Sequence, residues 1–411
     1  MLIITAPGQG AQTPGFLAPW LELPGVAERL GAASELVGCD LIRCGTTASA
    51  DEIRDTAVAQ PLLVAAALVT AGALAGGDAS DLPADAAAGH SVGELAAGVI
   101  AGVISADDAL RLVRVRATAM AAASAAEPTG MTAVLGGDSD DVLAALARYD
   151  LTAANINTAG QIVAAGRICD LHAFAAAAPA GARLRPLEVA GAFHTRYMAP
   201  AVAALHDAAA EVAVHDPVIP LLSDADGAAV TTGKEWLEHI VAQVAAPVRW
   251  DLCMQTMAGL GVTAMIELLP AGTLTGLARR ALPGVVRLPI KTPDQLDAAH
   301  ELIEEHLSDP ASGNDHMPEW RLIVSPTSGR FRSAVENAGP RQAGATVGHT
   351  ADLGTVLARG GERAVTAPWP AEIIEWLVED GDPVSEGQPL VRVQPQGGPA
   401  GWSAPEGGEG V

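Results

Sequence analysis

The segment Gly89-His90-Ser91-Val92-Gly93 has the G-x-S-x-G pattern of a nucleophile elbow. An apolar run, Ala86–Ala88, precedes it and a helix-forming stretch, Glu94–Ala97, follows it, so the pattern predicts a sharp turn from a strand into a helix. Ser91 would then be exposed at the end of a sheet, beside the N-terminal amides of the helix. In a chain with 44 glycines, an ordinary strand-turn-helix junction gives the same letters, so the prediction depends on the rest of the chain.

The amino-terminal residues predict a second turn near a strand end. Leu2–Ala6 is a short apolar run typical of a buried strand, and Pro7–Gln12 is a glycine-rich loop after it. The loop has neither the third glycine of a dinucleotide site nor the lysine of a P-loop, so phosphate binding is disfavoured. Gln9, between two glycines, would turn its amide or its neighbours' backbone toward a reacting centre, or would belong to a simple tight turn.

The order of predicted elements indicates one α/β domain inserted into another. Helices are predicted at 26–37, within 51–75 starting at Gln60-Pro61, at 107–126 and at 273–281. From 128 to 189 the pattern becomes strand 131–135, helix 139–149 capped by Ser139, strands 152–158 and 161–165, helix 170–177 and strand 183–189. That β-α-β-β-α-β order is typical of a ferredoxin-like unit, which would lie as a lid over the elbow. The expected fold class is therefore α/β: an α/β-hydrolase-like parallel-sheet domain (1–127 and 190–305) with an inserted ferredoxin-like subdomain (128–189).

The carboxyl-terminal part of the sequence has a different character. Residues 306–318 are rich in Ser, Asp, Pro and Gly and predict a linker. Short strands punctuated by Gly and Pro follow over 319–395 and predict a small all-β, barrel-like domain, and a disordered tail is predicted at 396–411.

Charge and composition exclude several classes of function. The formal net charge of -24 argues against nucleic acid or an anionic membrane as the main ligand. The cysteines and histidines lack metal-binding spacings, and we expect no metal. The amino terminus lacks the basic region of a signal peptide, and the apolar run 62–77 is shorter than a membrane span and predicts a buried helix, so we expect a cytoplasmic protein with no membrane contact.

A serine hydroxyl needs a positioned base to act as a nucleophile, and histidine is the usual one. His194, in a loop at the return from the inserted domain, is the best candidate because clefts form where domains meet. A structural loop histidine is the alternative. His90 is adjacent to Ser91 and, on a sharp turn, would point away from it.

Six spaced motifs together resemble the malonyl-CoA:acyl carrier protein transacylases over about residues 1–295. They are Pro7–Gln12, Gly89–Glu94, Arg116 with Met120, Asn155–Asn157, Gly191–His194, and Gln243 with Pro247–Trp250. The resemblance implies that Ser91 attacks the thioester of malonyl-CoA, that His194 takes the proton, and that a malonyl-serine intermediate passes to the phosphopantetheine thiol of a holo acyl carrier protein. The enzyme would be a malonyltransferase of fatty-acid or polyketide synthesis that needs no cofactor.

The resemblance also implies roles for the other site residues. The amides of Val92 and Gln9 would form the oxyanion hole, and a main-chain carbonyl near Gln243 would orient His194. Arg116 would bind the free carboxylate of the malonyl group through two parallel donors. Phe193 marks the malonyl-preferring form of its loop, although Gly191, two places before it, departs from the residues common there. Asn155, Asn157 and Gln243 would contact the substrate or stabilise turns.

Carrier proteins are acidic, so docking one on this acidic chain needs a local basic patch. The candidates are Arg183, Arg185, Arg196, Arg279 and Arg280.

Five segments resemble the biotin carboxyl carrier protein of acetyl-CoA carboxylase: Val324–Arg332, Val347–Thr350, Gly354–Leu357, Ile373–Val384 and Gly387–Leu390. Such biotinyl/lipoyl hammerhead domains carry their cofactor on a lysine at a hairpin tip. Here the tip reads Ala358–Arg363, and the chain's two lysines, Lys234 and Lys291, lie elsewhere. We therefore expect neither biotin nor lipoate. The domain would serve docking or assembly, with acetyl-CoA carboxylase or ketosynthase components as candidate partners, or would be an inert remnant.

Two other functions fit parts of the sequence. A serine esterase or thioesterase would use water as the acceptor, but it would not need Arg116 facing the acyl pocket. A non-catalytic scaffold would not need Ser91, Arg116 and His194 together.

Overall fold

The computed structural model describes residues 1–308, 321–336, 339–340, 344–348, 350–358, 360–367 and 370–395. The predicted tail at 396–411, residues 309–318 of the predicted linker, and Arg359 at the hairpin tip lie outside the described residues. The chain divides into two compact units, 1–314 and 315–411, and each is described by itself.

The first unit contains nine strands and twelve α-helices among its described residues. The strands are β1 (Leu2–Ala6), β2 (Ala86–Gly89), β3 (Thr129–Leu135), β4 (Thr152–Thr158), β5 (Gln161–Arg167), β6 (Arg183–Leu187), β7 (Leu221–Leu222), β8 (Ala264–Glu267) and β9 (Val286–Pro289). The helices are α1 (Val26–Val37), α2 (Leu41–Thr46), α3 (Thr56–Ala75), α4 (Gly93–Ile100), α5 (Ala106–Ser124), α6 (Ser139–Arg148), α7 (Ile168–Ala176), α8 (Ala199–Ala209), α9 (Gly233–Gln243), α10 (Trp250–Gly259), α11 (Thr273–Ala281) and α12 (Leu296–Ser308).

A five-stranded parallel sheet forms the centre of this unit, in the order β7-β2-β1-β8-β9. Alternate residues of its strands enter two apolar cores: Ile4 and Ala87 pack on one face of the sheet, and Ile3, Ala86 and Ala88 on the other. The α/β class with a parallel sheet is confirmed. Ala6 pairs with Gly89, so the loop after β1 and the turn after β2 emerge side by side at the carboxyl edge of the sheet.

The inserted unit is a four-stranded antiparallel sheet in the order β4-β5-β3-β6, with α6 and α7 packed into a core of its own. Its predicted β-α-β-β-α-β order is confirmed. The insert is joined to the larger sheet domain beside the elbow, because Ile156 N–H donates to the Val248 carbonyl at 2.9 Å and Val248 N–H to that of Ala154 at 2.9 Å.

Several predicted boundaries are wrong by a few residues, and three of the errors have a clear physical cause. Helix α3 begins at Thr56, not at Gln60-Pro61, because the Asp55 side chain caps it and Pro61 lies inside the helix. Asp138, not Ser139, caps α6, by accepting from Asp141 N–H at 3.0 Å. The linker does not begin at 306, since α12 continues to Ser308.

Helix α3 is long and apolar enough to cross a membrane, but 83% of its most apolar window is buried inside the protein. Its length and composition are therefore explained by its place in the core, as the sequence predicts.

The described part of the second unit is all β. Its strands are β10 (Arg321–Val324), β11 (Gly329–Ser333), β12 (Val335–Glu336), β13 (Gly339–Pro340), β14 (Thr346–Val347), β15 (Asp352–Ala358), β16 (Gly361–Thr366), β17 (Ala371–Trp376), β18 (Pro383–Val384) and β19 (Pro389–Pro395). They form two four-stranded antiparallel sheets, β10-β19-β17-β14 and β16-β15-β11-β18, and a two-stranded pair, β12-β13. Apolar side chains such as Phe331, Val356 and Ile373 form its core.

Candidate active site

Ser91 occupies the turn between β2 and α4 with a backbone φ of 54°, a left-handed conformation that costs a residue with a Cβ of order 1–3 kcal/mol. Both flanking glycines are required by close packing. A Cβ at Gly89 would lie 2.1 Å from the amide nitrogen of Glu94, and one at Gly93 would lie 2.2 Å from the Ala6 carbonyl oxygen. The pattern therefore describes a real constraint on the backbone, and the turn holds Ser91 at the carboxyl edge of the sheet.

His194 faces Ser91 from the loop that follows the inserted unit. Its Nε2 lies 2.8 Å from Ser91 Oγ, and its Nδ1 lies 2.8 Å from the main-chain carbonyl oxygen of Gln243. A carbonyl only accepts hydrogen bonds, so Nδ1 carries the proton and the Nε2 lone pair faces the serine hydroxyl. This is the tautomer that a general base needs.

The site keeps the imidazole neutral. Burial, with a smaller contribution from the positive charge of Arg116, lowers the pKa of His194 to about 3. His194 thus remains free to accept a proton at neutral and mildly acidic pH.

Arg116 reaches the same point from helix α5, with 1% of its surface exposed. Its Nη2 donates to Ser91 Oγ at 3.3 Å and to Gln243 Oε1 at 2.7 Å, and its Nη1 donates to Gln60 Oε1 at 2.6 Å. Burial lowers the pKa of the guanidinium to about 10, which leaves it charged at neutral pH. Within the described ranges no carboxylate forms an ion pair with it, so the cation remains available to an acidic group placed beside Ser91.

The predicted oxyanion donors lie on the two adjoining loops. The main-chain amides of Gln9 and Val92 donate to no acceptor among the residues that the structure describes. The loop of Gln9 is held close to the elbow, because His90 N–H donates to the Ala6 carbonyl at 3.0 Å. The side chain of Gln9 itself points elsewhere and donates to the Arg54 carbonyl at 3.2 Å.

The remaining predicted residues lie around these groups. His90 is turned to Asn157, with its Nε2 3.0 Å from Asn157 Oδ1, and to the Trp250 ring, as expected for a residue pointing away from Ser91. Asn155 is buried on β4 and Phe193 is buried next to His194. Neither makes a hydrogen bond or ring contact with Ser91 or Arg116 within the described part of the chain. Close packing explains the glycine at position 191, since a Cβ there would lie 2.6 Å from Ser124 Oγ.

Three site residues were missed by the sequence analysis: Gln60, Glu94 and Asp224. Gln60 supports Arg116, and Asp224 Oδ2 accepts from Ser91 N–H at 2.7 Å. Glu94 accepts from Asp224 N–H at 2.8 Å. The sequence contains a signal for Gln60, because it is the one amide side chain in a long, mostly apolar helix. It contains none for the other two: Asp224 resembles an ordinary turn residue, and Glu94 resembles an ordinary helix-forming residue.

In the described ranges no group of three or more His, Cys, Asp or Glu side chains is arranged to hold a metal ion. What the site brings together is a serine, a neutral histidine, free amide donors and a buried cation. This combination can form an acyl ester and bind an anionic acyl group.

Comparison with known proteins shows the same organisation elsewhere. Residues 7–292 match the model of the acyl transferase domain family. The malonyl CoA-acyl carrier protein transacylase of Mycobacterium tuberculosis is 52% identical over 297 residues, which cover 72% of this chain and 98% of the relative. The Escherichia coli K12 protein of the same name is 34% identical over 305 residues, covering 72% and 97%. The crystal structure of MCAT from Mycobacterium tuberculosis superposes with a TM-score of 0.71 at 52% identity, covering 73% of this chain and 99% of that one.

Proposed function

The chain belongs to the acyl transferase family and transfers a malonyl group from malonyl-CoA to acyl carrier protein, and we propose that it does so in two steps through a malonyl ester on Ser91. The observation that carries the proposal is the buried guanidinium of Arg116, 3.3 Å from the Ser91 hydroxyl that His194 contacts.

In the first step Ser91 Oγ attacks the thioester carbonyl of malonyl-CoA while His194 Nε2 takes the hydroxyl proton. The negative charge on the carbonyl oxygen is stabilised by the amides of Gln9 and Val92, each such donor being worth about 2.7–4 kcal/mol. The carbon–sulfur bond then breaks, and the CoA thiolate takes the proton from His194. The products are CoA and malonyl-Ser91.

The second step runs the same chemistry with another thiol. His194 takes the proton of the phosphopantetheine thiol on the holo carrier protein, and the thiolate attacks the malonyl ester. The Ser91 alkoxide leaves and recovers the proton from His194. The carbonyl of Gln243 keeps the imidazole in one tautomer during both steps, so no third carboxylate is needed to orient it.

Arg116 selects the acyl group. Its planar guanidinium offers two parallel donors to the free malonyl carboxylate, and an acetyl group would leave the buried cation without that partner. Asn155, Gln243 and Phe193 complete the acyl pocket in this proposal. An esterase would have no use for a buried cation at this position.

Initial-rate kinetics test the two-step scheme. With malonyl-CoA and holo carrier protein both varied, we expect parallel double-reciprocal lines and exchange of labelled CoA into malonyl-CoA without the carrier. Intersecting lines without exchange would show direct transfer and contradict an ester on Ser91. Rapid release of malonate to water with no transfer would favour a thioesterase.

We further propose that Arg279 and Arg280, both exposed in the last turn of α11, attract the acidic carrier protein. Arg183 and Arg185 on β6 are further candidates, whereas Arg196 is already paired with Asp150. Reversing the charge of Arg279 and Arg280 to Glu should raise the KM for the carrier several-fold and leave Ser91 loading by malonyl-CoA unchanged. Charge reversal at the exposed Arg148 on α6 is the matched control, and an equal loss in both half-reactions would overturn the assignment.

For the second unit we propose a degenerate hammerhead domain that carries no biotin or lipoate and serves docking. Its two antiparallel sheets and the hairpin of β15 and β16 support this, as does the absence of lysine from 319–395. Acetyl-CoA carboxylase and ketosynthase components are the partners to test by co-purification from the cytoplasm, where we expect the enzyme to supply fatty-acid or polyketide synthesis.

A further inference from the structure

Two carboxyl groups lie beneath Ser91 that the transfer chemistry does not use. Glu94 and Asp224 are 1% and 0% exposed. The two residues are joined through the main chain of Asp224, whose N–H donates to Glu94 Oε1 at 2.8 Å. Both also accept from the Gln243 side-chain nitrogen, which hydrogen-bonds Glu94 Oε2 and lies 3.1 and 3.2 Å from the two oxygens of Asp224.

Two adjacent buried carboxyls cannot both be ionised at low cost. Burial and the charge of Asp224 raise the pKa of Glu94 well above its ordinary value, and burial raises the pKa of Asp224 to about 7. At pH values above this, the pair therefore holds one proton and one negative charge, and the charge balances the buried cation of Arg116.

We propose that Glu94 and Asp224 are positioning residues: a proton-sharing carboxyl pair that holds Ser91 in its turn and, through Gln243, holds Arg116 and His194 in place. This inference rests on the proposed function and adds two residues to it.

The backbone of Ser91 is hydrogen-bonded both to the carboxyl pair and to Gln243. Asp224 Oδ2 accepts from Ser91 N–H at 2.7 Å, and Gln243 Nε2 donates to the Ser91 carbonyl at 3.1 Å. The strained residue is thus held by its backbone on both sides, which fixes where its hydroxyl points.

The side-chain amide of Gln243 connects the carboxyl pair to Arg116. A guanidinium can only donate hydrogen bonds, so Arg116 must face the oxygen of this amide. The oxygens of an ionised carboxyl group can only accept, so the carboxyl pair must face the amide nitrogen. The carboxyl pair thereby sets the orientation of the amide that presents Oε1 to Arg116. The main-chain carbonyl of the same residue holds His194.

Other titratable groups surround the pair from each packed element. They are Arg116 on α5, His194 and His90 on the site loops, Cys253 on α10, and His239 on α9, whose Nδ1 lies 3.1 Å from Ser223 Oγ.

The test uses the full chain with Glu94→Gln, Asp224→Asn and the double variant. Each single variant keeps one carboxylate, and we expect Ser91 loading by malonyl-CoA to fall by about 10-fold or less; in the double variant we expect about 100-fold, the usual cost of small misplacement. Loading by acetyl-CoA, which does not use Arg116, should fall less, so the preference for malonyl should shrink. Glu267→Gln is the matched control: Glu267 is a buried carboxyl group on β8 that accepts from the first amides of α11, and within the described residues it forms no hydrogen bond with Ser91 or Gln243.

A folded double variant with unchanged rate and malonyl preference would overturn the proposal, as would an equal loss in the Glu267 control. Should the double variant not fold, infrared difference spectra decide. The wild type minus Glu94→Gln spectrum at pH 8 should contain the carbonyl stretch of a protonated carboxylic acid, and its absence would contradict a shared proton. A wild-type enzyme that forms no malonyl ester would refute the proposed function and not the carboxyl pair. The infrared spectrum would still test the shared proton, because it needs no turnover.

Discussion

The two units of the chain bury different kinds of side chain. In the first unit Arg116, His194, Glu94 and Asp224 lie in the interior, whereas among the described residues of the second unit Ser325 is the one buried polar side chain, beside a core of residues such as Phe331 and Val356. Burying charge is costly unless each group has partners. The first unit meets that cost with a connected network around one serine, and the second has a core that serves only its fold. The difference assigns the chemistry to residues 1–308.

Replacing Ser91 with Ala should have the largest effect on activity, because it removes the side chain around which the buried polar network of the first unit is arranged. We expect loss of the malonyl adduct and a fall in transfer of about 10⁴-fold or more, because among the described residues no other nucleophilic side chain hydrogen-bonds His194. The measurement is intact-protein mass together with the transfer rate to holo carrier protein. A residual adduct of the malonyl mass on the Ser91→Ala protein would place the nucleophile elsewhere.

Replacing Arg116 with Lys keeps the charge but removes the planar set of donors. The ammonium of lysine has three donors and no planar fork, so it cannot bind a malonyl carboxylate through two parallel hydrogen bonds and also keep the contacts to Gln60 and Gln243. Loading by malonyl-CoA should therefore fall by about 100-fold, equivalent to one or two charge-assisted hydrogen bonds. Loading by acetyl-CoA serves as the internal control and should change little. Equal losses with both thioesters would show that Arg116 supports the fold and not the acyl carboxylate.

The pKa of His194, lowered to about 3 by burial and by Arg116, predicts a pH effect on stability. Because the unfolded imidazole binds a proton below its ordinary value of 6.5 and the folded one does not, the free energy of unfolding should decrease as pH falls from about 6.5, by at most about 1.4 kcal/mol per pH unit. The raised pKa values of Glu94 and Asp224 act in the opposite direction, stabilising the fold as pH falls below about 7.

The contribution of His194 is therefore obtained as the difference in free energy of unfolding between the wild type and a variant without the imidazole. Urea unfolding of the wild type and His194→Gln between pH 4.5 and 6.5 should show the wild type losing stability relative to the variant toward acid. Parallel curves would mean that folding leaves the pKa of His194 unshifted, which would contradict the lowered value.

The sequence predicted the parts of the site that local chemistry dictates. The glycines beside Ser91 are required by a turn of a few residues, and the spaced motifs identified His194 and Arg116. Glu94 and Asp224 could not be paired from the sequence, because they meet only where helix α4 and the loop after β7 pack at the sheet edge. The predicted start of α3 is wrong because a proline usually marks a helix boundary, whereas Pro61 lies inside this helix and the capping residue is Asp55.

The most direct measurement is intact-protein mass, with peptide mapping, after brief incubation with malonyl-CoA or acetyl-CoA, for the full chain and for a chain ending at Ser308. The truncated chain corresponds to the length of the relatives, of which the alignment covers 97–98%. We predict one malonyl group on Ser91 in both chains, formed at the same rate and discharged by holo carrier protein, with much slower loading from acetyl-CoA. A folded truncated chain that fails to load, or an adduct at another residue, would contradict the assignment of the chemistry to the first unit.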